Sequence, residues 1–287
     1  MLVDLKTICE IAEKQNMAVG AFNACSLASL KAVFRAAEEL QTPFVIQFAQ
    51  CHEVYNALED IGPLMIRYAE KASIPVAVHL DHGEDLEYLK KALDIGFTGI
   101  MFDGSVLPYE KNAELSAEAA RMAHAFGASA EAELGSMGRR ETGEGVGSGN
   151  EDETKIYTDP ARAARFVHET GIDALACSFG TTHGIYLKKP KLNFDVVKEV
   201  RKTTGGIPVV MHGGSGVSDE DFHKAIDAGV RKINYFTYMD KAAGAAVKGR
   251  IIRQNEEYPF FTELTLTAEK AMTENVKKAI SVFMNKA

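Results

Sequence analysis

One pattern constrains this chain more than any other: a short apolar run followed by a longer segment of helical period, repeated eight times. The runs fall at residues 18–22, 43–49, 75–82, 99–105, 129–135, 174–180, 208–216 and 232–237. They stand mostly about 24–34 residues apart, the size of one strand–helix unit. Three begin at a proline, in TPF, IPV and IPV, where a missing N–H is tolerated. Several helical segments open on capping chemistry: Ser26 before LASLKAVFRAAEEL, Asp159-Pro160 before ARAARFVHET, and Ser218-Asp219-Glu220 before DFHKAIDAG. Apolar strands alternating with helices predict a parallel sheet covered on both faces. Eight units predict closure, a (β/α)8 TIM barrel in a single domain over residues 1–287, since such barrels fill about 250 residues. No GxGxxG follows the first run, which counts against a dinucleotide-binding sheet.

Two segments depart from the rhythm. Residues 135–155, GSMGRRETGEGVGSGNEDETK, are rich in glycine and charge and too long for an ordinary connection. They leave the C-terminal end of the fifth strand, the face where barrels carry their sites, and predict an extended active-site loop. From Phe261 onward the chain reads as an extra terminal helix, packed under the barrel or on a neighbouring subunit.

The net charge of −8 counts against a nucleic-acid surface, which needs a basic stripe, but leaves room for a locally positive pocket that takes a small anion. No apolar run approaches the roughly 18–20 residues that span a bilayer, so no membrane partner is expected. The amphipathic, acid-bearing N-terminus, MLVDLKTICEIAEKQ, does not read as a signal peptide. Cys9, Cys25, Cys51 and Cys177 show no CxxC spacing and read as reduced thiols. Together these features predict a cytoplasmic protein.

Chemistry-bearing residues gather at the C-terminal ends of the strands. His82-Gly83, His183-Gly184 and His212-Gly213 place three histidines on three different strand ends. One such histidine is an ordinary structural hydrogen-bonder; three, with one open position, make the usual composition of a catalytic zinc site. Alternation puts His79 and Asp81 on one face of their strand and Leu80 and His82 on the other, a rule that relaxes at a strand end. Asp81 is thus a candidate general acid/base beside a metal, or else a cap for GEDLEYLKKAL. Asp103 and Glu133 are candidate partners of the histidines or ligands of an alternate metal position, or else members of buried ion pairs. HGGSG and KINYFT suit a phosphate cradle of backbone N–H groups, with Asn234 and Thr237 adding side-chain donors.

At these residues the sequence resembles the class II, zinc-dependent ketose-bisphosphate aldolases, the family of fructose- and tagatose-bisphosphate aldolases. The resemblance runs over residues 19–237, on GAFNA, VHLDHG, IMFDGS, AEAELG, YTDP, GTTHGIY, PKLNFDVV, HGGSG and KIN in order. It implies that His82, His183 and His212 hold Zn2+, with Asp103 and Glu133 as acids near the metal. It implies that Asp81 exchanges a proton with the hydroxyl on carbon 4. Asn23, Gly184, Gly213, Ser215, Asn234 and Thr237 fall where the family holds the dihydroxyacetone-phosphate portion, and some members take a sodium or potassium ion there. Glu141 aligns with the loop glutamate that protonates the enediolate, with Glu144 as competitor. The implied partner is a small sugar phosphate, and the implied assembly a homodimer or homotetramer.

The departures bear on substrate. The GGxED loop of the family reads Gly138-Arg139-Arg140-Glu141-Thr142, and Leu187 replaces the usual lysine, with Lys188 one place late. Bulky Tyr235 and Phe236 end strand eight, and the tail lacks a DPR-like ending. The resemblance implies fructose or tagatose 1,6-bisphosphate or a related ketose 1-phosphate as substrate, and these departures, all near the loops and the phosphate site, point away from an ordinary hexose bisphosphate. A metal-dependent sugar-phosphate epimerase or isomerase on the same barrel is the alternative. A Schiff-base aldolase is disfavoured, because Lys232 enters strand eight at the end away from the mouth.

Overall fold

A computed structural model describes residues 1–135, 157–181, 191–254 and 258–286. Eight parallel strands close into a barrel in sequence order, the last pairing with the first through Val19 beside Lys232. They are β1 (Val19–Asn23), β2 (Phe44–Ala49), β3 (Val76–Gly83), β4 (Gly99–Phe102), β5 (Ser129–Leu134), β6 (Ala174–Cys177), β7 (Val209–Met211) and β8 (Val230–Tyr235). The expected runs were longer than the ladders. In β2, β3 and β7 the proline lies one residue before the strand, because a residue without an N–H cannot join the ladder. The seventh strand stops before His212, and Thr237 opens a helix instead of extending the eighth. Those C-terminal extensions are the loops that carry the site.

The helices are α1 (Leu5–Lys14), α2 (Leu27–Glu39), α3 (Leu58–Lys71), α4 (Leu86–Ile95), α5 (Tyr109–Ala125), α6 (Pro160–Thr170), α7 (Phe194–Thr203), α8 (Asp219–Ala228), α9 (Thr237–Gln254) and α10 (Phe261–Phe283). All three expected caps form. Ser26 closes a capping box with Ser29, Asp159 accepts from the Arg162 amide ahead of Pro160, and Ser218 accepts from the Asp221 amide. The terminal helix α10 lies on the flank of the barrel, against α2, α8 and α9, and its Phe283 carbonyl accepts from the Ala18 amide at 3.0 Å. No helix among the described residues is long and apolar enough to cross a membrane.

The side-chain period of two sorts each strand into a face for the helices and a face for the barrel interior. In β3, Val76, Val78 and Leu80 join the outer core with Phe34, Phe44 and Leu93, while Ala77 joins the interior. The lower interior is small and apolar: Val19, Ala21, Val45, Ala77, Ala174, Ala176 and Val210. Leu5, Ile8, Cys9 and Ala12, all fully buried on one face of α1, close that end from below. Above them the interior turns polar, with Gln47, His79, Glu131 and Lys232 all buried. This layering fills the barrel with side chains and leaves the reactive groups at its C-terminal mouth.

Candidate active site

Asp81 and His82 share the mouth because β3 breaks its alternation there. His82 has φ +47, in the left-handed region, and the β3–β4 register shifts between Leu80 and Gly83. Gly83 must follow, since a Cβ on it would meet Leu89 at 2.2 Å and the Met101 carbonyl at 2.9 Å. Asp81 therefore keeps the interior direction of Ala77 and His79, and His82 turns inward beside it. Asp81 is not the cap of α4; Asp85 is, accepting from the Tyr88 amide.

Three amides clasp the Asp81 carboxylate. Asn23 Nδ2 donates to Oδ2 at 2.9 Å, Gln47 Nε2 to the same oxygen at 3.2 Å, and Asn234 Nδ2 to Oδ1 at 2.9 Å. Gln47 Nε2 also donates to Asn23 Oδ1 at 2.8 Å, which fixes the orientation of that second amide. Burial alone would raise the Asp81 carboxyl, but the charges of His82, Lys232 and His212 and the Asn23 hydrogen bond hold it well below the usual carboxylate range. These contacts favour the ionised carboxylate.

The two described histidines are each held by an acid. His82 Nδ1 pairs with Asp103 Oδ2 at 2.8 Å, and Asp103 is steadied through Oδ1 by the Ser105 amide and hydroxyl. His82 Nε2 lies 3.9 Å from Asp81 Oδ1. His212 Nε2 pairs with Glu131 Oε1 at 2.9 Å, and its Nδ1 lies 3.3 Å from Glu133 Oε2. The two imidazole rings meet edge-on with centroids 4.7 Å apart. Burial would lower the His82 imidazole, yet the Asp81 charge and the Asp103 hydrogen bond push it up to about 10. His212 is raised for the same reason, with hydrogen bonds to Glu131 and Glu133 outweighing its burial.

Two imidazoles packed among the buried carboxylates of Asp81, Asp103, Glu131 and Glu133 mark a place where a cation belongs. The donor atoms of Asp81, His82 and His212 lie within 4.8 Å of one another, as do those of His82, Asp103 and Glu133. Nitrogen and carboxylate donors, each imidazole steadied by an acid on its far side, fit a divalent metal.

The same mouth is lined by Gly213, Gly214, Ser215, Asn234 and Thr237, together with Ala49, His52 and Phe236. A Cβ on Gly214 would meet the Asn234 carbonyl at 2.9 Å and Ile233 at 2.8 Å, so only glycine lets the two loops pack. Helix α9 begins at Thr237, on the rim of this pocket. A helix N-terminus beside a glycine loop is the kind of place where backbone N–H groups suit an anion.

A metal-ready cluster of acids and histidines at the mouth of an eight-stranded barrel narrows the possibilities, and the sequence comparison decides among them. The family profile described as fructose-bisphosphate aldolase class-II matches residues 3–287. The chain belongs to the class II fructose-bisphosphate aldolase family. Within the family it is 38% identical over 278 residues to a sulfofructosephosphate aldolase of Alkalicoccus urumqiensis, covering 97% of this chain and 95% of that one. It is 35% identical over 290 residues to a fructose-bisphosphate aldolase of Staphylococcus epidermidis, covering 98% and 97%. The crystal structure of the YdjI aldolase of Escherichia coli K12 superposes with a TM-score of 0.86 at 36% identity, covering 99% and 97%. As a class II aldolase the chain is a carbon–carbon lyase of a metal-dependent family that acts on sugar phosphates.

Most residues singled out from the sequence converge in this one aldolase mouth: Asn23, Asp81, His82, Asp103, Glu133, His212, Gly213, Ser215, Asn234 and Thr237. His183, Gly184, Glu141 and Glu144 lie outside the described residues. Sequence reasoning missed Gln47, Glu131 and His52, and it set Lys232 aside. Lys232 does sit below the mouth, yet its Nζ reaches Asn234 Oδ1 at 2.8 Å and Glu131 Oε2 at 2.8 Å. A period of two from Val45 and from Glu133 would have placed Gln47 and Glu131 on the interior face.

Proposed function

We propose that this chain is a zinc-dependent aldolase that reversibly cleaves a ketose phosphate, yielding dihydroxyacetone phosphate and an aldehyde. The observation that carries the reading is the triply clasped, ionised Asp81 carboxylate, 3.9 Å from an imidazole nitrogen of the metal-ready cluster. His82 and His212, with His183 from outside the described residues, are the zinc ligands. Asp103 holds His82, and Glu133 supplies a further acid at the cluster. When bound, zinc acts as a Lewis acid on the ketone oxygen and offsets the negative charge that cleavage of the carbon 3–carbon 4 bond leaves behind.

The chain's own residues do the rest. Asp81 accepts the proton of the carbon 4 hydroxyl as the bond breaks, and its three amide donors keep the carboxylate aimed while it does so. Gly213, Ser215 and the first turn of α9 bind the phosphate at carbon 1, with Asn23, Gly184, Asn234 and Thr237 around the triose portion. Glu141, with Glu144 as competitor, returns a proton to the triose carbon. A sodium or potassium ion beside the phosphate belongs to the same reading.

Substrate identity within the family is open among fructose 1,6-bisphosphate, tagatose 1,6-bisphosphate and related ketose 1-phosphates. The deciding experiment is turnover of a panel of ketose mono- and bisphosphates by the zinc-loaded enzyme, scored by release of dihydroxyacetone phosphate. Chelation should silence it, and borohydride with substrate should leave it active. Activity that survives chelation but not borohydride would replace this mechanism with a Schiff base. The reading extends to a single cytoplasmic domain that assembles as a homodimer or homotetramer. Exposed Tyr258, Phe260 and Phe261 support the assembly, as a patch that a neighbouring copy would cover; light scattering in solution tests it.

A further inference from the structure

The buried cation beneath the mouth has no part in the chemistry set out above, yet it touches both of its arms. Lys232 is fully buried and makes two contacts of 2.8 Å, one to Asn234 Oδ1 and one to Glu131 Oε2. An ammonium can only donate, so the atom that Asn234 turns toward it must be the amide oxygen. The Asn234 NH2 is thereby turned the other way, to Asp81 Oδ1 at 2.9 Å. Without the ammonium the amide oxygen would lose its buried donor, and only the NH2 bond to Asp81 would hold Asn234 in place.

The second contact works on the metal side. Pairing with Lys232 occupies Glu131 Oε2 and leaves Oε1 for His212 Nε2 at 2.9 Å. A carboxylate paired in this way only accepts, so Nε2 carries a hydrogen, and Nδ1, 3.3 Å from Glu133 Oε2, is the nitrogen that would turn from that acid to a cation. His79 Nε2, 3.4 Å from the same Glu131 oxygen, packs the remaining side of the cluster.

We infer that Lys232 is a positioning residue that sets both the face Asn234 presents to Asp81 and the nitrogen His212 presents to the metal. The inference rests on the metal-dependent reading proposed above. Lys232 touches no reacting atom; its effect reaches the chemistry through one amide and one carboxylate.

The test uses the full-length protein, with zinc affinity read by chelator competition in the absence of substrate. Wild type is measured first; if it binds no zinc, the reading of the site falls and this inference falls with it. With wild type binding, Lys232→Met should weaken zinc binding about 10–100-fold, the usual effect of losing an outer partner of a ligand. At saturating zinc its kcat should fall on the order of 10²-fold, with a much smaller change in KM. The same substitution in an Asp81→Asn background should cost less than about threefold in kcat, because no base is left to aim. Wild-type zinc affinity, or an equal kcat loss in both backgrounds, would reduce Lys232 to a packing residue. If circular dichroism shows that Lys232→Met does not fold, Glu131→Gln carries the test. Its amide would turn oxygen to Lys232 and NH2 to His212 Nε2, driving the hydrogen onto Nδ1, and zinc affinity should again fall about 10–100-fold. Unchanged affinity in that variant would overturn the inference.

Discussion

The two ends of the barrel interior are built from the same strands and differ in almost every other respect. At the lower end Val45, Ala77, Ala174 and Val210 meet Leu5, Ile8 and Cys9 of α1, and the buried Ser129 hydroxyl accepts from the Lys6 amide at 3.0 Å. At the upper end Asp81, Glu131, Glu133, His79, His212 and Lys232 are buried together within a few ångströms. Apolar burial stabilises the fold, whereas burying charges costs several kcal/mol per ion before pairing returns it. One end therefore holds the molecule together, and the other is held in place by it. The difference teaches that stability and reactivity are separated along the strand axis, by four or five residues of one chain.

That separation can be broken by substitution. The largest effect belongs to His82→Ala, which should bring turnover to background and strip most of the metal, because three protein ligands leave none to spare. Metal content by elemental analysis and Tm in chelator check it; the metal-free Tm should stay close to that of wild type. A variant that keeps its full metal would remove His82 from the ligand set. Next comes Asp81→Asn, expected to lose about 10²–10⁴-fold in kcat while retaining zinc. Near-normal turnover there would leave the carboxylate without a chemical role.

At the other end, Ile8→Ala should destabilise the protein by about 2–5 kcal/mol through the cavity it leaves, with kcat within about twofold of wild type. Denaturant unfolding and steady-state kinetics on one preparation compare the two. A kcat loss as deep as that of Asp81→Asn would mean that the two ends are mechanically coupled. The smallest effect concerns thiols. Burial pushes Cys9 and Cys177 up to about 12, so under native conditions neither should react with a thiol reagent, whereas exposed Cys51 should. Labelling of Cys9 at the rate of Cys51 would show that the lower end opens in solution.

The sequence made the barrel legible because a parallel strand buried on both faces leaves an apolar run that nothing else in a chain this size imitates. His82 and His212 were legible as residues of the mouth because each stands directly before a glycine at a strand end, and Asp81 because it adjoins His82. The ends of the strands were not. Whether His212 or Thr237 belongs to a ladder depends on which carbonyl a neighbouring strand offers, a tertiary fact that the local pattern does not carry. The place of Lys232 below the mouth was legible from its position in the strand; its contact with Asn234 was not, because that depends on how far a lysine side chain reaches along the barrel interior. Gln47 and Glu131 sit inside apolar runs and read there as interruptions, although as interior-facing residues they complete the hydrogen bonding of Asp81 and His212.

The plug that α1 makes at the lower end has a consequence for traffic. With Leu5, Ile8, Cys9 and Ala12 packed to zero exposure, the barrel is a cul-de-sac, and whatever enters at the mouth must leave by it. Helix α1 thus fixes the side from which the site is reached, although none of its residues lines the mouth.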